Sequence, residues 1–336
     1  MSPVKTRVGA AALTLVSALV VGGVASPAPA QSAPRQPSGL RAFDVDSWWN
    51  TPLPKNTPGA VNEAAILNYM QTAEDAGGGC LRLAGTGTNA WGQPVFFAGP
   101  GDPSYDVQVP MSKRPPELAD LRIPRKAAPA ATSDAAMTVY DRSRGYVVAL
   151  TGARYNGAAG RWSARGATVT YLDSNGLHWR TGRSDDRRNY GSHRGNNGAT
   201  MMVRYGEVKR GAIRHVLKVA SGPETSTRFV FPMVGSDGDS TDPNAPLQGM
   251  RFRIKPSVDI ESLGLNPQAE VIAKALQRYG MYLGDNAGNT TLKLQDTRAS
   301  GMGQQWRLSA AALCRIPIGP RYWDVVQGGY DPSRGR

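Results

Sequence analysis

The sequence predicts a mainly β fold, a β-sandwich of jelly-roll type with two helices packed at an edge or an end. Three observations carry this. Short runs of alternating apolar and polar residues recur along the chain between turn-forming clusters. Pairs of these runs are joined by linkers such as DRSRG and DSNG, which suit hairpins. Only two long stretches have helical periodicity, so strands and helices do not alternate as a parallel α/β fold requires.

In chain order, Lys5 and Arg7 precede an apolar run from Val8 to Ala25, and Ala28-Pro29-Ala30 supplies the small residues of a cleavage site. This is the pattern of a Sec-type signal peptide over 1–30. Thr6 separates the two cations, so a twin-arginine signal is not supported. Residues 31–42 read as a disordered lead-in and 43–336 as a single sandwich domain. No later segment is apolar enough to span a bilayer, so the expected product is secreted or wall-associated, with no integral membrane segment once the signal is removed.

Pro58 to Ala73 carries Val61, Ala65 and Tyr69 on one stripe and is the first helix. Met111 to Thr132, basic and proline-rich, reads as a long surface crossover. Met137 to Tyr140 and Tyr146 to Thr151 form one predicted hairpin, and Ala167 to Leu172 with Leu177 to Arg180 a second. Asn189 to Gly198 is polar and glycine-rich and reads as an exposed loop. Tyr205 to Arg210 suits a short helical turn stopped by Gly211, and Ile213 to Ala220 a strand that puts His215 on the face of Ile213, Leu217 and Val219. Arg228 to Val234 and Gly249 to Lys255 continue the strands. Pro267 to Tyr279, capped by Asn266 and closed by Gly280, is the second helix. Asp285 and Asn286 then suit a turn leading a hairpin into Thr290 to Gln295.

The net charge of +13 loses Lys5 and Arg7 with the signal and becomes +11. Acidic glycans and the anionic cell envelope fit such a charge. Nucleic acid is not expected, because no helix-turn-helix, zinc finger or aromatic RNA-binding pattern is present. Cys80 and Cys314, in a chain bound for an oxidising space, are expected to form a disulfide closing most of the domain. GTGTNAWG near Gly85 has alternating glycines but no following helix, hence no dinucleotide fingerprint. Neither a phosphate-binding loop nor a metal signature is found, and no cofactor or metal is expected.

Candidate chemistry lies in polar clusters. His215 and Glu207 are the proposed proton-transfer pair, with Asp134 and Asp237 as further catalytic candidates. Arg194 and His193 are candidate substrate ligands. Trp162 and Trp179 would form a sugar-stacking floor if they face solvent. Each has a structural alternative: His215 as a core residue, Asp134 and Asp141 as caps and turns, and at least one tryptophan in the core. Asp237, Asp239 and Asp242 lie close enough in sequence for calcium but lack the pattern of an EF-hand.

The motifs SWWNTPLP, SDAAMTVYD, GEVKRGAIRHVLKVA and SVDIESLGLNPQAEVIAKALQRYGMYLGDNAGNT resemble a family of secreted actinobacterial proteins of uncharacterised function, over about Phe43 to Thr297. The resemblance implies an acid or histidine beside the methionine of SDAAMTVYD and before the histidine of GEVKRGAIRHVLKVA, where this chain has Ala136 and Arg214. The expected function is action on an extracellular or cell-envelope polysaccharide, anionic or neutral, by hydrolytic or eliminative cleavage. The alternative is a non-catalytic glycan- or wall-binding protein.

Overall fold

The computed structural model describes residues 40–336 except 111, 113, 190–192 and 224, together with the backbone but not the side chain of His193. The signal peptide and most of the lead-in therefore lie outside the described residues. In chain order the strands are β1 Arg82–Ala84, β2 Val95–Ala98, β3 Ser104–Tyr105, β4 Leu121–Arg122, β5 Met137–Asp141, β6 Tyr146–Thr151, β7 Arg154–Asn156, β8 Arg161–Ser163, β9 Gly166–Tyr171, β10 Leu217–Ser221, β11 Arg251–Ile254, β12 Met281–Asn286, β13 Thr291–Lys293 and β14 Trp323–Val325. The helices are α1 Glu63–Thr72, α2 Tyr205–Lys209 and α3 Pro267–Arg278. The protein is mainly β with few helices, as a sandwich requires.

Two sheets dominate. One has six strands in the order β1-β13-β10-β12-β11-β14, and the other four in the order β2-β5-β6-β9. Two ribbons, β3-β4 and β7-β8, accompany the smaller sheet. The six-stranded sheet is mixed: β10 runs parallel to β12 and β1 to β13, the other pairs being antiparallel. In the four-stranded sheet β2 is parallel to β5, while β5-β6 and β6-β9 are antiparallel.

Alternation along each strand assigns its two faces. Leu217 and Val219 of β10, Phe252 and Ile254 of β11, and Met281 and Leu283 of β12 face a core completed by Ile66, Leu67 and Met70 of α1 and Ile272 and Leu276 of α3. The helices thus cover the outer face of the larger sheet. Met137, Val139, Val148, Leu150 and Val169 build a second core on the outer face of the smaller sheet. The predicted crossover contributes to it, because Leu118, Leu121 and Ile123 are buried there. Between the sheets lies a layer of mixed polarity. Tyr140 donates to the Ala199 carbonyl at 3.0 Å, and Tyr282 packs edge-on to Trp48 and Trp49.

The first hairpin forms as predicted, with Asp141 opposite Tyr146. Leu177 to Arg180 does not form a strand. His178 accepts from the Arg180 amide through its ring and starts a short 3₁₀ turn, Trp179–Thr181. Arg228 to Val234 makes one bridge, Phe229 to Gln248, and no strand; Pro232 has no amide to continue a ladder. Asp285 and Asn286 are not in a turn but end β12. That strand never pairs with β13, because β10 lies between them.

The described residues of the polar segment 189–198 do not make the expected exposed loop either. Asn189 and Asn197 are buried, and their amides replace regular strand pairing: Asn189 accepts from the Tyr171 amide at 3.1 Å, and Asn197 donates to the Gly176 carbonyl at 2.7 Å. At Gly195 a side chain would sit 2.7 Å from the Pro232 carbonyl, and its φ of +83° suits only glycine, which explains that residue.

Cys80 and Cys314 are joined across 234 residues with a Cα–Cα distance of 4.4 Å. Among the described residues no helix is long and apolar enough to cross a membrane.

Candidate functional site

The four proposed catalytic residues fall in two places. His215 and Glu207 lie together in a pocket of about 460 Å³, whereas Asp134 lines a separate cleft between the sheets. Asp237 is next to that second cleft, bonded to its Arg194 at 2.9 Å and also to Gln248. The expected grouping of His215 with Arg194 and an aspartate is therefore not formed.

Three elements build the first pocket. α2 brings Glu207, its preceding residue Arg204 lies at the helix N-cap, and the bend before β10 supplies His215. His215 is thus not within a strand, since β10 begins at Leu217. The N-terminal segment closes the pocket with Arg41, held down because Asn50 donates to the Ala42, Phe43 and Asp44 carbonyls at 2.7, 3.1 and 2.8 Å. The Val216 amide donates to the Trp49 carbonyl at 2.8 Å and fixes the bend that carries His215. The SWWN motif is therefore a brace for the pocket, and its tryptophans are buried.

On the pocket floor, Glu207 receives Arg204 at 2.6 Å on Oε1, and its Oε2 is 3.2 Å from His215 Nε2. The other ring nitrogen, Nδ1, is 2.8 Å from the Val216 carbonyl. Both neighbours of the ring are acceptors, so only a ring with N–H on both nitrogens satisfies both. Burial raises the Glu207 carboxyl, but the Arg204 guanidinium first and His215 second outweigh it and hold it at about 2. Glu207 is thus a fixed carboxylate with no proton to give. Around it stand Arg41, Arg204, Arg210 and Arg214, four guanidiniums against one carboxylate. Arg41, Arg210 and Arg214 are exposed, and no carboxylate among the described residues pairs with them. The position where the resemblance implies an acid or histidine is one of these arginines.

No family model, no curated protein and no solved structure matches the chain.

The inter-sheet cleft, about 570 Å³, has Thr168 and Ala149 on one wall and Lys218, Asp285 and Lys293 on the other. Ala136, the second departure from the resemblance, is also on its wall. Lys218 meets Asp285 at 2.6 Å. Burial raises the Asp285 carboxyl, but Lys218 reverses this and brings it to about 2. Lys293 lies 4.0 Å from Asp134 and is pushed down by burial and then by Lys218. Asp134, Asp285 and Lys293 also line an adjoining cavity of about 630 Å³.

The predicted tryptophan floor does not form. Trp162, on β8, is buried against the smaller sheet and packs on Tyr155, while Trp179 is exposed and stacks on His178. The side chain of His193 lies outside the described residues. Asp242 accepts from the Asn244 amide at 2.7 Å, and no group of three or more potential metal-ligating side chains occurs among the described residues. Lys218, Lys293 and Asp285 were missed as site residues. The signal available was the alternation in β10, which places Lys218 opposite Leu217 and Val219.

Proposed function

We propose that the protein is secreted and binds an acidic extracellular or cell-envelope polysaccharide through the Arg41–Arg204–Arg210–Arg214 pocket. The observation that carries this reading is the charge of that pocket. Its only carboxylate is already paired with Arg204 and in contact with His215, so three exposed guanidiniums remain for ligand carboxylates, which they can meet bidentately. The +11 balance expected for the mature chain and the signal-like N-terminal pattern agree with this reading. Cleavage is the second reading, favoured by His215 lining the same pocket. An imidazolium there could donate a proton, but with both nitrogens engaged it is a poor base.

Retention on polygalacturonate, alginate and neutral glucan columns, with product analysis for unsaturated or new reducing ends, tests both readings. The expected result is salt-sensitive retention on the two acidic polymers. Arg214→Ala should weaken it several-fold, with stability changed by less than about 0.5 kcal/mol. Equal retention on neutral glucan, or none on any column, refutes the acidic-ligand reading; new chain ends would establish cleavage.

A further inference from the structure

The loop after β1, GTGTNAWG, has no part in the arginine pocket, yet it is built with unusual constraint. Gly85 and Gly92 stand back to back: a side chain on Gly92 would lie 2.7 Å from the Gly85 Cα and 2.9 Å from the Leu294 carbonyl. Gly85 has a φ of +98°, a conformation that excludes other residues. Inside the loop, Asn89 Oδ1 accepts from the Gly85 and Trp91 amides at 3.3 and 2.9 Å. From outside, Arg298 donates to the Asn89 carbonyl at 3.0 Å. The loop is closed at its base, filled by its own side chain and clamped from a distant segment.

What this scaffold presents is Trp91, 46% exposed, at the wall of the 630 Å³ cavity. An indole left in water at such a position does nothing for the core. Facing the same cavity are Arg82 and Lys293 with Asp134 and Asp285, two cations and two carboxylates, so the charges balance. An aromatic plane with donors and acceptors of both signs around it is the surface that a pyranose ring requires. The axial C–H face of the sugar is apolar and lies flat on the indole, while its equatorial hydroxyls reach the polar groups at the edge. A balanced site gives no preference to a carboxylated sugar, in contrast to the arginine pocket.

We propose that Trp91, with Arg82, Asp134 and Lys293, forms a second binding site that takes a neutral pyranose residue. The proposal rests on the ligand being a glycan but not on the arginine pocket. Arg82 extends a hydrogen-bonding fork, Asp134 accepts from hydroxyls, and Lys293, loosely held at 4.0 Å from Asp134, is available to donate.

The test is calorimetric titration of the full chain with neutral tetrasaccharides of glucose, galactose, mannose and N-acetylglucosamine, run on wild type, Trp91→Ala, Trp91→Tyr and Arg214→Ala. At least one tetrasaccharide should bind; its affinity should fall about tenfold in Trp91→Ala, stay within about threefold in Trp91→Tyr, and be unchanged in Arg214→Ala. If no neutral tetrasaccharide binds while acidic polymers are still retained, the Trp91 site is overturned and the arginine pocket stands. Binding that is unaffected by Trp91→Ala, or lost in Arg214→Ala, also overturns it. The melting temperature of Trp91→Ala should match that of wild type, since the side chain is exposed.

Discussion

Glu207 Oε2 lies 3.2 Å from His215 Nε2 while its Oε1 holds Arg204 at 2.6 Å, so one buried carboxylate ties the start of α2 to the bend before β10. Arg204 is only 2% exposed, and its charge could not be kept there without a partner. Removing a partner from such a cluster costs about 3–5 kcal/mol, because the remaining charge stays buried. Glu207→Gln should therefore lower unfolding free energy by about 3 kcal/mol in urea titrations, in addition to any effect on ligand. A variant as stable as wild type would mean that water reaches the cluster freely.

The same cluster sets an acid limit. Glu207 and Asp285 are both held at about 2, below the ordinary 4.5 and 3.8 of their unfolded forms. Groups depressed on folding contribute stability that is complete above their unfolded values and is lost as pH falls through the folded ones. The contribution of these two carboxylates should thus be complete above about pH 5, decline from about pH 4.5 and be lost below about pH 2. In Glu207→Gln the slope over that window should be shallower, as read from urea midpoints at successive pH values. An unchanged slope would remove Glu207 from the acid limb.

Which features were legible in the sequence follows from where their signal lies. β6 and α3 have local signals, alternation for one and an Asn-Pro start with a Gly stop for the other, and their bounds were read almost to the residue. The contact of Glu207 with His215 was also legible, because only seven residues separate them. The order β13-β10-β12 was not, since YLGDNAGN looks like a hairpin and nothing local shows that β10 enters between its arms. Segment 189–198 was misread for a related reason. Asn189 and Asn197 are polar by composition, but buried once their amides meet distant backbone groups. Trp91 had no local signal to separate it from Trp162; only the fold decides that one is exposed and the other enclosed.

The disulfide joins the segment after α1 to the segment before β14, and both segments border the larger core. Closing a loop of 234 residues restrains the unfolded chain and contributes up to about 5 kcal/mol on the loop-entropy account. Cys80→Ser with Cys314→Ser should lower the melting temperature by several degrees while leaving polymer retention unchanged, because the arginine pocket lies on other segments. Loss of retention at a temperature where the variant is still folded would tie the cross-link to the site.

Two lysines of the inter-sheet cleft offer the sharpest internal contrast. Lys218 is 5% exposed and meets Asp285 at 2.6 Å, whereas Lys293 is 27% exposed and 4.0 Å from Asp134, itself 46% exposed. An ion pair open to water contributes little, about 0–1 kcal/mol, since both groups are solvated when apart. A buried ammonium that loses its carboxylate keeps its desolvation cost with nothing to offset it. Asp285 is 37% exposed, which screens the pair and lowers the cost of breaking it to about 1–3 kcal/mol. Asp285→Asn should accordingly destabilise the fold by that amount, and Asp134→Asn by less than about 0.5 kcal/mol, both measured by urea unfolding at neutral pH. If Asp134→Asn were the more damaging of the two, Asp134 would be a structural anchor for β13, and its side chain would not be free to accept from a bound sugar.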